Sequence, residues 1–211
     1  MLSEINPHSR DQLIVFDEEP HIYTIITDPD STYTSCTTFI HGFFGHFDAD
    51  KIIDKMTKSK NWANSKYYGQ TPDQIKAQWD RNRIQASVSG TNMHKAIEDF
   101  YNGEKTLEDL AILPDLKYFL NFYKDIGHKL KPYRSEWMVF DDQLKLAGSI
   151  DFVTENEDGS LNLWDWKRSR EIKRENSWQS GLDPVKNLPD CNYYHYSLQL
   201  NLYKAILENN Y

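Results

Sequence analysis

Cysteine is nearly missing. The 211 residues hold two, Cys36 and Cys191, and their separation matches no thiolate metal site. They read as free thiols of an intracellular, reducing compartment (cytoplasm, nucleoid or a viral replication site) and not of a secreted protein. Long apolar runs are missing as well. Nothing approaches the roughly 18 apolar residues of a membrane span. The opening MLSEINPHSRDQLIVF lacks the apolar stretch of a secretory signal. No membrane partner is expected, and the sequence points to no particular protein partner. Internal repeats and low-complexity segments are also lacking.

Positive charge is in deficit, with a formal net charge of −8, which at first argues against a nucleic-acid partner. The distribution argues the other way. Residues 124–134 (KDIGHKLKPYR) and 165–174 (DWKRSREIKR) each carry a net +3. Taken alone, either run is an ordinary solvated face. Hydrophobic residues make up 39% and aromatics 14%, enough for a real core and too much for a disordered chain. The length suits one large domain or two small ones.

Along the chain, LIVFDEEPHIYTIITDPDSTYTSCTTF reads as two or three strands with a turn at DPDS. Thr37 or Thr38 caps a short helix through IHGFFGHF, and DADKIIDKMTKSK makes a second. Thr71 followed by Pro72 starts a long helix reaching about Tyr101, with a break marked at Gly90. LPDLKYFLNFYKDIGHK is a further helix. RSEWMVFD, LKLAGSIDFVTE and SLNLWDWK form a three-stranded meander. A loop over residues 175–191 precedes a last helix, NYYHYSLQLNLYKAILENN, whose apolar stripe is Leu198, Leu202 and Ile206. The fold class is α/β, as a single domain over 1–211. Residues 1–89 are a hairpin and helical lobe, and 90–211 are the core.

Chemistry gathers on the meander. Each strand sets one acid among apolar neighbours: Glu136, Asp151 and Asp165. Lys167 follows Asp165 by two, and residues two apart share a face of a strand. Three converging acids raise one another's pKa, and a divalent cation removes that cost. Carboxylate oxygens suit Mg²⁺ or Mn²⁺. A solvated Asp–Lys pair explains the same D-x-K equally well at this point. On the preceding helix His94 and Glu98 lie four apart on one face. A histidine beside carboxylates favours Mn²⁺, with Glu98 holding the ring; a helical histidine with a purely structural partner is the other reading.

In chain order these are G-T-x-x-H-x-x-I-E (90–98), Glu136 on a strand, A-G-S-I-D-F (147–152), D-W-K (165–167) and Gln199 with Tyr203. This series resembles the RecB-like branch of the PD-(D/E)XK nucleases. The stretch HIYTIITDPDSTYTSCTTFI before it is similar to the mitochondrial genome maintenance exonuclease and related phage exonucleases. The resemblance implies a restriction-endonuclease-like core, a mixed sheet flanked by helices. It implies a metal-dependent deoxyribonuclease, an exonuclease on single-stranded or end-bearing DNA. A structure-specific endonuclease and a non-cleaving DNA-binding module are the alternatives.

By the same resemblance, Mg²⁺ or Mn²⁺ is held by His94, Asp151, Asp165 and the carbonyl of Trp166. Glu136, Asp151, Asp165 and Lys167 are catalytic. Glu136 reaches a second ion or orients water, and Lys167 positions the attacking water. Gln199 and Tyr203 support the site. Arg168 and Arg170 track the phosphate backbone. Ser35 and Thr37 either meet a phosphate or cap the next helix. Related domains usually continue past the Q-x-x-x-Y helix, so the chain is expected to be either the N-terminal part of a longer protein or a compact variant.

Overall fold

The computed structural model describes all 211 residues as a mixed α/β protein. Helix α1 (Leu2–Ile5) and a 3-10 turn (Ser9–Leu13) lead into strands β1 (Ile14–Asp17) and β2 (Ile22–Ile25). Next come β3 (Thr34–Ser35), then helices α2 (Cys36–His41), α3 (Ala49–Thr57), α4 (Pro72–Tyr101), α5 (Leu107–Ala111) and α6 (Lys117–Asp125). Strands β4 (Lys131–Asp141), β5 (Leu146–Glu155) and β6 (Leu161–Trp164) follow, and α7 (Asn192–Asn210) closes the chain. No helix is long and apolar enough to cross a membrane.

Residues 1–45 and 93–211 make one compact unit, and residues 46–92 a second. The N-terminal hairpin thus groups with the sheet, whereas the sequence division put it in a lobe of residues 1–89. In the second unit, Asp48 caps α3 by accepting from the Lys51 amide at 3.0 Å. Thr71 and Gln74 cap α4 reciprocally, each side chain accepting from the other's amide, with Pro72 at the first helical position. Gly90 does not break α4, contrary to the sequence expectation. A glycine weakens a helix by about 1 kcal/mol but keeps its hydrogen bonds. The helix ends instead at Gly103, whose φ of +80° disfavours other residues.

In the first unit β5 is central. It pairs along its whole length with antiparallel β4. Its other edge is shared: parallel β3 pairs at Leu146 and Ala147, and antiparallel β6 from Phe152 to Glu155. The segment LNLWDWKRS is therefore not one buried strand. β6 stops at Trp164, Leu161 is exposed, and Asp165 and Lys167 lie beyond its end.

Apolar residues cover both faces of the sheet. One cluster joins Cys36, Trp137, Val139, Leu146, Ile150 and Val153 to Tyr203 and Ile206 of α7. Another packs Ile14, Tyr23, Ile25 and Tyr33 on Phe140 and Ala147. A third holds Met93, Ala96 and Ile97 of α4 against Leu110, Leu116 and Phe119. The buried residues of α7 are Gln199, Tyr203 and Ile206; of the stripe read from the sequence, Ile206 is buried and Leu202 packs partly buried on the same cluster, while Leu198 is only half-buried. Gly148 makes the burial of Tyr203 possible, because a Cβ there would lie 2.7 Å from the Tyr203 ring.

The N-terminal segment is clasped to β4. The Arg134 guanidinium, 5% exposed, donates to the Asn6 carbonyl and the Asp11 carboxylate, each at 2.8 Å. The Trp137 indole donates to the other Asp11 oxygen at 2.9 Å.

Candidate metal and phosphate centre

Residues from four segments lie close together. α4 supplies His94, β4 Glu136, β5 Asp151, and the segment after β6 supplies Asp165, Trp166 and Lys167. The ligand atoms of His94, Glu136 and Asp151 lie within 4.8 Å of one another. His94 Nδ1 is 3.3 Å from Glu136 Oε1 and 3.7 Å from Asp151 Oδ1. Its Nε2 is 2.8 Å from the carbonyl oxygen of Trp166. Both ring nitrogens thus face acceptors, and without a cation only the doubly protonated ring satisfies them. Burial alone would lower the His94 pKa, but the Glu136 hydrogen bond and the charges of Asp151 and Glu136 outweigh it, and the net shift is upward.

Asp151 is confined, with a side chain 8% exposed. Burial pushes its pKa up to about 7, against the pull of Lys167. Its Oδ2 accepts from the Trp166 amide at 2.6 Å, which ties the turn after β6 to β5. The same residue, Trp166, so presents its N–H to Asp151 and its C=O to His94.

Asp165 lies next to this grouping. It stands outside the three-residue cluster, and its Oδ1 accepts from Lys167 Nζ at 2.5 Å and from Gln199 Nε2 at 3.1 Å. Lys167 Nζ is also 4.0 Å from Asp151 Oδ2, so the ammonium bridges the two aspartates.

Glu136 holds its place at a backbone cost. Its φ is +43°, in the left-handed region that L-residues with a Cβ rarely enter. The strand alternation changes phase there. Arg134 and Trp137 are three apart, yet the guanidinium stacks 4.6 Å over the indole. Ile150 and Val153, also three apart, share one apolar cluster. An uninterrupted strand would put such pairs on opposite faces. Ser149 steadies the result by donating to Glu136 Oε2 at 2.9 Å.

The remaining expected residues divide. Gln199 reaches the site and Tyr203 is buried behind it against Gly148. Glu98 does not hold the His94 ring, because Lys95 takes its carboxylate at 3.2 Å and the ring turns to the sheet. Ser35 caps α2, accepting from the Thr38 amide at 3.1 Å, which is the capping alternative read for it and places the cap two residues before Thr37. Thr37 is exposed on the first turn of α2 and makes no hydrogen bond to the cluster. Arg168 pairs with Asp115 at 3.0 Å, while Arg170 is exposed.

Two residues went unassigned in the sequence: Ser149, inside A-G-S-I-D-F, and Tyr196, whose ring centre is 5.5 Å from Lys167 Nζ. The tyrosine-rich start of α7 was the available signal for the second. No protein-family model matches the chain, and comparison with curated proteins and with solved structures gave no match.

Proposed function

We propose that the protein is a divalent-metal-dependent deoxyribonuclease that hydrolyses phosphodiester bonds, most simply an exonuclease on single-stranded or end-bearing DNA. The observation that carries the reading is the convergence of His94, Glu136 and Asp151 beside a lysine held between two aspartates. The chain order of its motifs, which resembles the RecB-like nucleases, supports the same reading and a restriction-endonuclease-like core.

The donor set suits Mg²⁺ or Mn²⁺: two carboxylates and an imidazole whose nitrogens face only acceptors. His94, Glu136 and Asp151 would hold the ion, with the Trp166 carbonyl at hand. Such an ion, when bound, neutralises charge building on a phosphate. The chain's own groups do the rest. Lys167 orients the attacking water or a nonbridging phosphate oxygen. Asp165 fixes Lys167, and Gln199 fixes Asp165. The water gives up a proton to solvent as its oxygen bonds to phosphorus and the bond to the leaving strand breaks, and the departing oxygen takes up a proton from solvent.

The test is end-labelled linear single-stranded DNA with Mn²⁺, Mg²⁺ or chelator, beside single-stranded circles. Metal-dependent loss of the linear DNA alone is expected, with Lys167→Ala at least about 100-fold slower. Cutting of circles would make the protein an endonuclease. Binding without cutting in every metal would reduce the cluster to structure.

A further inference from the structure

The most exposed large apolar side chain on the molecule takes no part in the core or the centre. Trp178 is 89% exposed, on the loop that leaves Lys167 and returns to α7. The loop is ordered around it. Asn176 accepts from the Trp178 amide at 3.0 Å and the Gln179 amide at 3.2 Å, and donates to the Asp190 carbonyl at 2.7 Å. The Gln179 carbonyl accepts from the Asp190 amide at 3.0 Å, and Ser180 bridges to Pro189. A tryptophan held out to water on a pinned turn loses apolar contact with nothing local in return.

The approach to it is basic. Residues 168–179 carry a net +2 in a chain of net −8. Arg170 and Lys173 are exposed and make no ion pair, and the Arg174 guanidinium lies 5.0 Å over the Tyr193 ring. The arm is fastened along the start of α7: the Lys173 amide donates to Asn192 Oδ1 at 2.8 Å, and Asn192 Nδ2 donates to the Glu171 carbonyl at 2.8 Å. One turn further on, Tyr196 meets Lys167. The arm, basic on balance despite Glu171 and Glu175, thus joins the lysine to the tryptophan along the chain.

We infer that Trp178 is a stacking platform for an unpaired nucleobase, with Arg170, Lys173 and Arg174 tracking the phosphates between it and Lys167. The inference rests on the nuclease reading and narrows it to single-stranded substrate. A duplex offers no free base face to such a platform, whereas every unpaired base has one.

The test measures binding of fluorescent oligo-dT, an abasic strand of equal length and a blunt duplex by anisotropy, in Ca²⁺ buffer. Trp178→Ala is expected to weaken oligo-dT binding about 5- to 100-fold and Trp178→Phe to retain most of it. Binding of the abasic strand should be insensitive to either change. Trp178→Ala within twofold of wild type on oligo-dT, or an equal loss on the abasic strand, overturns the platform while leaving the nuclease reading intact. A wild type that binds none of the three nucleic acids overturns both. Exposure of the side chain means that neither substitution disturbs the fold, which circular dichroism checks.

Discussion

Glu136 and Asp151 sit side by side on neighbouring strands, and each is held in a state the unfolded chain would not choose. For Glu136 the burden is in the backbone, at φ +43°. Glycine has no such penalty, so Glu136→Gly is expected to be more stable than Glu136→Ala by about 1 kcal/mol in urea unfolding, although both lose the carboxylate. Equal stability would mean that the phase change is not strained. For Asp151 the burden is charge. Its folded pKa of about 7 lies above the unfolded value, so the folded state binds the extra proton. Stability then falls as pH rises from about 4 to 7, and the ionised acid is a standing penalty above that. Metal-free Asp151→Asn should exceed wild type by roughly 1–3 kcal/mol near pH 8, with the gap closing toward pH 4. Asp11 behaves in the opposite sense. Burial would raise it, but Arg134, the His8 amide and Trp137 together hold it below the usual range. Its contribution is present above the unfolded pKa and lost as pH falls, so Asp11→Asn should blunt acid unfolding. Glu136, Asp151, Asp165 and His94 could be picked out in the sequence because acids among apolar neighbours are unusual residue types, and the structure brings His94, Glu136 and Asp151 together. The sequence could not say that Glu136 would stand 3.3 Å from the His94 ring, since its backbone there adopts a φ of +43° that no sequence pattern marks.

Among the elements, the strands and long helices were legible because their apolar periods are long, and the failures fall where a neighbour decided the outcome. The start of α4 could be read from Thr71 and Pro72 alone. The place of Tyr203 on the buried face of α7 could not, because it depends on the space at Gly148 in another strand. Gly148→Ala should destabilise by about 1–3 kcal/mol, since the Tyr203 ring is enclosed, and a Tyr203→Leu background should relieve most of that loss. β6 looked longer than it is for a related reason. The two tryptophans of LNLWDWKRS suggest one strand, but the Trp166 amide is drawn to Asp151 and leaves the ladder. At α2 the side-chain cap is Ser35, and Ser35→Ala should cost about 1 kcal/mol by thermal denaturation.

At the scale of the whole molecule, a cation that binds only the folded chain must raise its melting temperature with concentration. Mn²⁺ at about 100 times its Kd should add roughly 2.7 kcal/mol to wild type and nothing to His94→Ala. An equal rise in both would locate the ion elsewhere. The clasp between the N-terminal segment and β4 has a consequence for synthesis. Asp11 and Arg134 are 123 residues apart in sequence. A ribosome delivers the N-terminal segment long before its anchor, so it waits unsatisfied while the hairpin, helices α2 to α6 and the start of β4 emerge. Until then its apolar residues, Leu2 and Ile14 among them, have no sheet to cover. Nascent chains stalled before residue 131 should therefore be cut readily near their N-terminus, and chains released after β5 should not.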